Sequence, residues 1–247
     1  MSTLHPCPRR DFVALSIAAP VVGWIPWFRP KEIVAAGVRF RILRNRRSSR
    51  RYVLLHGDDA AARQLLISHM ETQRGTALLI DSAGRDVAIE GGKLDPSRMF
   101  SRAGAEASLR SLNPGWSAEQ VNAALDLLDR QREKLLDALF PPDHGLLIAL
   151  GTGAASVTGE AALADRHALP QPGNPNAFYW CTDSGDYQAL AASPFNVVLG
   201  QHIRARDDGS LGRRAAARGV RYLLIEAPAA DSGGRGEMLA WAEAHLP

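Results

Sequence analysis

Short apolar runs alternate with amphipathic stretches along most of the chain. Apolar runs bounded by charge or glycine recur at residues 51–56, 76–80, 85–90, 146–150, 195–199 and 220–225. Runs this short suit buried strands. Between them the period changes to that of a helix. Ala62, Leu65 and Leu66 recur at helical spacing within 59–74, where Asp58 or Asp59 can cap the start and Gly75 the end. The longest helical pattern covers 117–140. Ser117 and Gln120 form a capping-box pair, Val121, Leu125, Leu128, Leu135 and Leu139 share one face, and Pro141-Pro142 end it. A short helix is expected near Gln188 and a last one over 238–245. This alternation predicts a single α/β domain, with a mixed, mostly parallel sheet covered by helices on both faces. Ligands of such sheets bind beyond the carboxyl ends of the strands.

The first residues read differently. Pro8-Arg9-Arg10-Asp11-Phe12 precedes a mostly apolar stretch to Phe28, an order that resembles a twin-arginine export signal. Pro20, Gly23 and Pro26 interrupt the stretch, which makes it a poor permanent membrane span. Val34-Ala35-Ala36 before Gly37 is a small-residue cleavage sequence. The expected division is a leader over 1–36 and one domain over 37–247, with a periplasmic or secreted location. The competing reading is an ordinary amphipathic N-terminus with two chance arginines.

Composition narrows the function classes. A 247-residue chain with 46% hydrophobic and 22% charged residues is neither largely disordered nor long enough for two large domains. The formal net charge of +3 is concentrated at the start, where Arg9, Arg10 and Arg29 face only Asp11. The run Arg41, Arg44, Arg46, Arg47, Arg50, Arg51 has no interleaved aromatic for base stacking, so it reads as a solvated surface and not a nucleic-acid groove. Cys7 and Cys181 fit no metal spacing and no disulfide framework. Cys181 lies in the apolar run Phe178-Tyr179-Trp180-Cys181 and reads as a small buried hydrophobe.

Chemistry-bearing residues gather at the strand ends. His56 and Asp59 place an imidazole and a carboxylate three apart where a strand gives way to a helix, a nitrogen–oxygen pair suited to zinc. The plainer reading is a helix-capping turn. In Asp95-Pro96-Ser97-Arg98-Met99-Phe100, Arg98 presents a planar fork able to hold a carboxylate, or to brace the loop through Asp95. Glu226 ends the apolar run Tyr222-Leu223-Leu224-Ile225. A poorly hydrated carboxylate there suits a general base, or is a charge on the rim.

Taken in order over residues 51–227, these features resemble the zinc carboxypeptidase superfamily, in particular its succinylglutamate desuccinylase and aspartoacylase-like branch. The resemblance implies His56 and Asp59 as zinc ligands, Asp59 standing for the family's Glu. It implies Arg98 with Ser97, in place of Asn, as the substrate-carboxylate segment, and Glu226 as general base. Substrates would be small peptides with a free C-terminus or N-acyl amino acids. One departure is severe. The third ligand histidine is expected just after 146–150, where this chain has Gly151. His144, His167 or His202 would have to replace it. Two readings follow: an exported zinc carboxypeptidase or amidohydrolase with an impaired metal site, or an inactive peptide- or carboxylate-binding module of the same fold.

Overall fold

The computed structural model describes residues 31–142, 144–153, 155–202 and 207–247. Most of the arginine-paired leader, residues 1–30, lies outside the described residues. The chain forms one α/β domain around a nine-stranded sheet of order β1-β2-β4-β3-β7-β11-β9-β10-β8. Its strands are β1 (Lys31–Ala35), β2 (Val38–Asn45), β3 (Arg51–Leu54), β4 (Gly75–Ile80), β7 (Leu147–Leu150), β8 (Arg166–Ala168), β9 (Phe178–Cys181), β10 (Asn196–Leu199) and β11 (Tyr222–Glu226). A separate hairpin pairs β5 (Val87–Ile89) with β6 (Gly92–Leu94). The centre of the large sheet is parallel, running β4-β3-β7-β11. Antiparallel pairings flank it at β1-β2, β2-β4, β11-β9 and β10-β8.

Each central strand is apolar on both faces because helices cover both. Alternate residues of β11 separate cleanly: Tyr222 and Leu224 face one layer, Leu223 and Ile225 the other. The second layer holds α1 (Ala60–Thr72), α5 (Ser184–Leu190) and α7 (Ser232–His245), through Leu66, Leu190 and Met238 among others. The first holds α2 (Arg102–Leu112), α3 (Ala118–Leu139), α4 (Val157–Leu163) and α6 (Leu211–Ala217). The capping box of Ser117 and Gln120 forms as the sequence predicts. Among the described residues, no helix is long and apolar enough to cross a membrane.

Two differences from the sequence reading have local causes. Residues 31–36, assigned to the end of the leader, form β1 and the start of its turn into β2. Ala36 at φ 52° and Gly37 at φ 80° make a two-residue hairpin turn with both central residues left-handed. Cleavage after Ala36 would therefore remove an edge strand of the sheet. Residues 85–90 do not add a strand to the large sheet. They form β5 and reverse into β6 at Glu90-Gly91, again with positive φ at both positions.

Candidate functional site

The parallel centre of the sheet brings the carboxyl ends of β3, β7 and β11 side by side, and a cavity of about 240 Å³ opens there. Its floor is apolar, made by Leu55, Ala149, Phe178, Trp180, Tyr222 and Leu224. His56 and Glu226 lie in its wall with Gly151 and Thr152. Ser97, Arg98, Asp208 and Arg213 form one side of its mouth, and Arg85 reaches over another to Thr152 Oγ1 at 3.4 Å. Four of the sequence-predicted site residues, His56, Ser97, Arg98 and Glu226, thus meet in one cavity.

Asp59 does not join them. It caps α1, its Oδ1 accepting the Ala62 amide at 2.8 Å. Its Oδ2 accepts a hydrogen bond from Arg235 Nη1 at 2.8 Å. The Arg235 side chain is 0% exposed, and its Nη2 donates to the Ala227 carbonyl just beyond β11. Both carboxylate oxygens of Asp59 are therefore engaged, and its charge is neutralised within the protein. The capping reading of the His56–Asp59 segment holds, and the two side chains do not form an open metal pair. His56 turns instead to Asp95, with Nε2 and Oδ1 3.2 Å apart. The same Asp95 oxygen accepts from the Ser97 amide at 2.9 Å and the Ser97 hydroxyl at 2.7 Å. Burial opposes ionisation of Asp95. The hydrogen bonds of His56 and Ser97 outweigh it and hold the carboxyl well below the usual range.

Gly151 follows β7 as the sequence predicts, and it is packed directly against Glu226. A β-carbon at Gly151 would stand 1.8 Å from Glu226 Oε2, so the Glu226 carboxylate fills the volume that a histidine side chain would need. The three residues named as replacement ligands are elsewhere. His144 is exposed in the loop before β7, at the opposite end of that strand. His167 is on the edge strand β8, and the exposed His202 pairs with Asp165. None of them lines the cavity. Among the described residues, no three His, Cys, Asp or Glu side chains are grouped to hold a metal ion. The donors expected for zinc do not fit it: one is tied to Asp95, one is paired with Arg235 inside the protein, and the third position is occupied by a carboxylate.

Arg98 is placed at the cavity mouth but is not braced by Asp95. Its Nη1 pairs with Asp208 Oδ2 at 2.5 Å, across 110 residues of sequence. Arg213 Nε approaches the other oxygen of Asp208 at 3.4 Å. Sequence reasoning missed Asp208, Arg213, Arg85 and Arg235. The only local signal for any of them is the glycine pair Gly233-Gly234 before Arg235, which marks the start of a helix and gives no hint of a buried ion pair.

No family model and no curated protein matches the chain. Two solved structures are similar to it. One, a "putative metallopeptidase" of Shewanella denitrificans OS217, is 14% identical, covers 88% of this chain and 82% of its own, and gives a TM-score of 0.42. The other, from Shewanella baltica OS155 and described in the same words, is 12% identical over 85% and 80% of the two chains, with a TM-score of 0.43.

Two substitutions test this geometry. Arg235→Ala leaves the Asp59 charge buried without its partner and is expected to lower the unfolding free energy in urea by about 3–5 kcal/mol. A loss under about 1 kcal/mol would mean that the pair is not buried as described. Gly151→Ala should cost about 1 kcal/mol in the parent, because the Glu226 carboxylate must turn aside into the cavity that it borders. The cost should shrink in an Glu226→Ala background, and additive effects of the two changes would contradict the contact.

Proposed function

We propose that this chain is a metal-free binding module for small carboxylate-bearing ligands, N-acyl amino acids or peptides with a free C-terminus. In this reading it keeps the ligand cleft of the resembled hydrolases without their metal centre. The observation that carries the proposal is the double replacement at the metal positions. Arg235 neutralises Asp59 from within the protein, and Glu226 fills the space beside Gly151. The cavity bordered by Glu226 and Gly151 stays open.

Its lining suggests how a ligand sits. An acyl group, aromatic or aliphatic, covers the floor of Phe178, Trp180, Tyr222 and Leu224. The ligand carboxylate meets Arg98 at the mouth, where two parallel hydrogen bonds from one guanidinium give both energy and direction. Ser97 lies next to Arg98 with its hydroxyl already donated to Asp95, and so fixes the segment that presents the arginine. With His56 also held by Asp95, no step of hydrolysis is assigned to these residues. The proposal includes export by the arginine-paired leader. Any cleavage is expected before β1, since the fold uses residues 31–35.

Calorimetric titration tests the reading with N-benzoylglycine and its amide, N-benzoylglycinamide, on the protein with its leader region intact. The acid is expected to bind with a Kd between about 1 µM and 1 mM, and the amide roughly tenfold or more weaker. Glycine release should stay at the uncatalysed level when zinc is supplied. Equal affinity for acid and amide would remove carboxylate recognition, and zinc-dependent glycine release would replace binding by hydrolysis.

A further inference from the structure

We infer that Asp208 is an internal competitor for the ligand carboxylate, occupying the guanidinium subsite of Arg98 and Arg213 until a ligand takes its place. This inference rests on the carboxylate-binding reading of the same cavity and adds what sets its selectivity.

The geometry is that of a bound carboxylate supplied by the chain itself. One oxygen of Asp208 lies 2.5 Å from Arg98 Nη1, and the other 3.4 Å from Arg213 Nε. All three side chains line the cavity. The backbone beneath Asp208 cannot recede. A β-carbon at Gly104 would stand 2.3 Å from the α-carbon of Gly209, and one at Gly209 would stand 2.2 Å from the Arg98 carbonyl oxygen. The Phe100 amide also donates to the Gly209 carbonyl at 3.1 Å. The segment is therefore packed closely against the turn that carries Arg98, which keeps Asp208 beside it.

The Oδ1 of Asp208 is held by the Ser210 amide, so what exchanges is the contact of Oδ2 with Arg98. Arg98 and Asp208 are 43% and 39% exposed, so water and ligands reach both, and solvent screening keeps the pair weak. A ligand carboxylate can take the fork of Arg98 while Asp208 Oδ2 turns aside about the oxygen that Ser210 holds. No covalent bond changes and no proton need move. The arriving carboxylate gives up part of its gain to repulsion, since Asp208 keeps its charge beside the same two guanidinium groups. A bare carboxylate such as acetate therefore gains little from the exchange. A ligand that also covers the apolar floor gains the burial of its acyl group as a surplus. Asp208 thus turns a general anion subsite into one that selects amphiphilic carboxylates.

Asp208→Asn tests this, because the amide oxygen can still accept from the Ser210 amide, which now donates to Asp208 Oδ1 at 2.9 Å. Calorimetry on the same protein should show N-benzoylglycine binding about three- to tenfold tighter than to the parent. Affinity for N-benzoylglycinamide should stay unchanged, and acetate should show measurable binding only to the variant. The gain should disappear in the Arg98→Ala, Asp208→Asn double variant. Asp208→Ser, which also keeps a short acceptor for Ser210, serves in its place if thermal melting shows the first variant to be unfolded. A parent that binds N-benzoylglycine while both variants bind it equally or more weakly overturns the inference and makes Asp208 a positioning residue for Arg98. Absence of binding to parent and variants alike overturns the carboxylate-binding reading itself, and the inference with it.

Discussion

Three elements around the strand ends are joined by one buried ion pair, between Asp59 and Arg235. A fully buried guanidinium is costly in a protein interior unless its charge is matched. Here one terminal nitrogen serves Asp59 and the other the Ala227 carbonyl. The pair therefore ties the start of α1 to α7 and to the end of β11, three elements that frame the strand ends. It also decides the chemistry there. An Asp59 that caps a helix and neutralises Arg235 faces a buried cation where a metal ion would have to bind. His56 loses its expected partner and joins the hydrogen-bonded group of Asp95 and Ser97.

Glu226 follows the same logic from the other side of β7. A strand-borne carboxylate beside a histidine would be positioned to act on metal-bound water. Beside Gly151 it moves into the space that the missing side chain leaves. The cavity has an apolar floor and a guanidinium mouth, and in the proposed reading these recognise a ligand while Glu226 and Asp59 serve packing. Proteins of one fold often differ in this way, with function residing in the side chains at the strand ends and not in the sheet beneath them.

Much of this was legible in the sequence, for physical reasons. The apolar runs at β3, β4, β7, β10 and β11 are strands because central parallel strands are buried on both faces. The caps at Asp59 and Ser117 announce α1 and α3 because their side chains satisfy amides that a helix start leaves free. The rule that ligands bind past the carboxyl ends of such strands led directly to His56, Gly151 and Glu226. Other features were not local and could not be read. The β1-β2 hairpin turns on Ala36, a residue rarely found in a left-handed conformation. The run 178–181 reads as buried but does not say that it enters the sheet antiparallel to β11. The pairings Asp59–Arg235 and Arg98–Asp208 join positions 176 and 110 residues apart, and only the folded chain brings them together.

The donors that resemble a zinc site are committed to other partners in this fold. Zinc affinity, measured by competition with a chromophoric chelator, checks this in the parent beside His56→Ala and Arg235→Met. No stoichiometric zinc is expected in the parent, and no difference between the parent and His56→Ala. Stoichiometric zinc that His56→Ala abolishes would contradict this, and would mean that Asp59 leaves Arg235 for the metal.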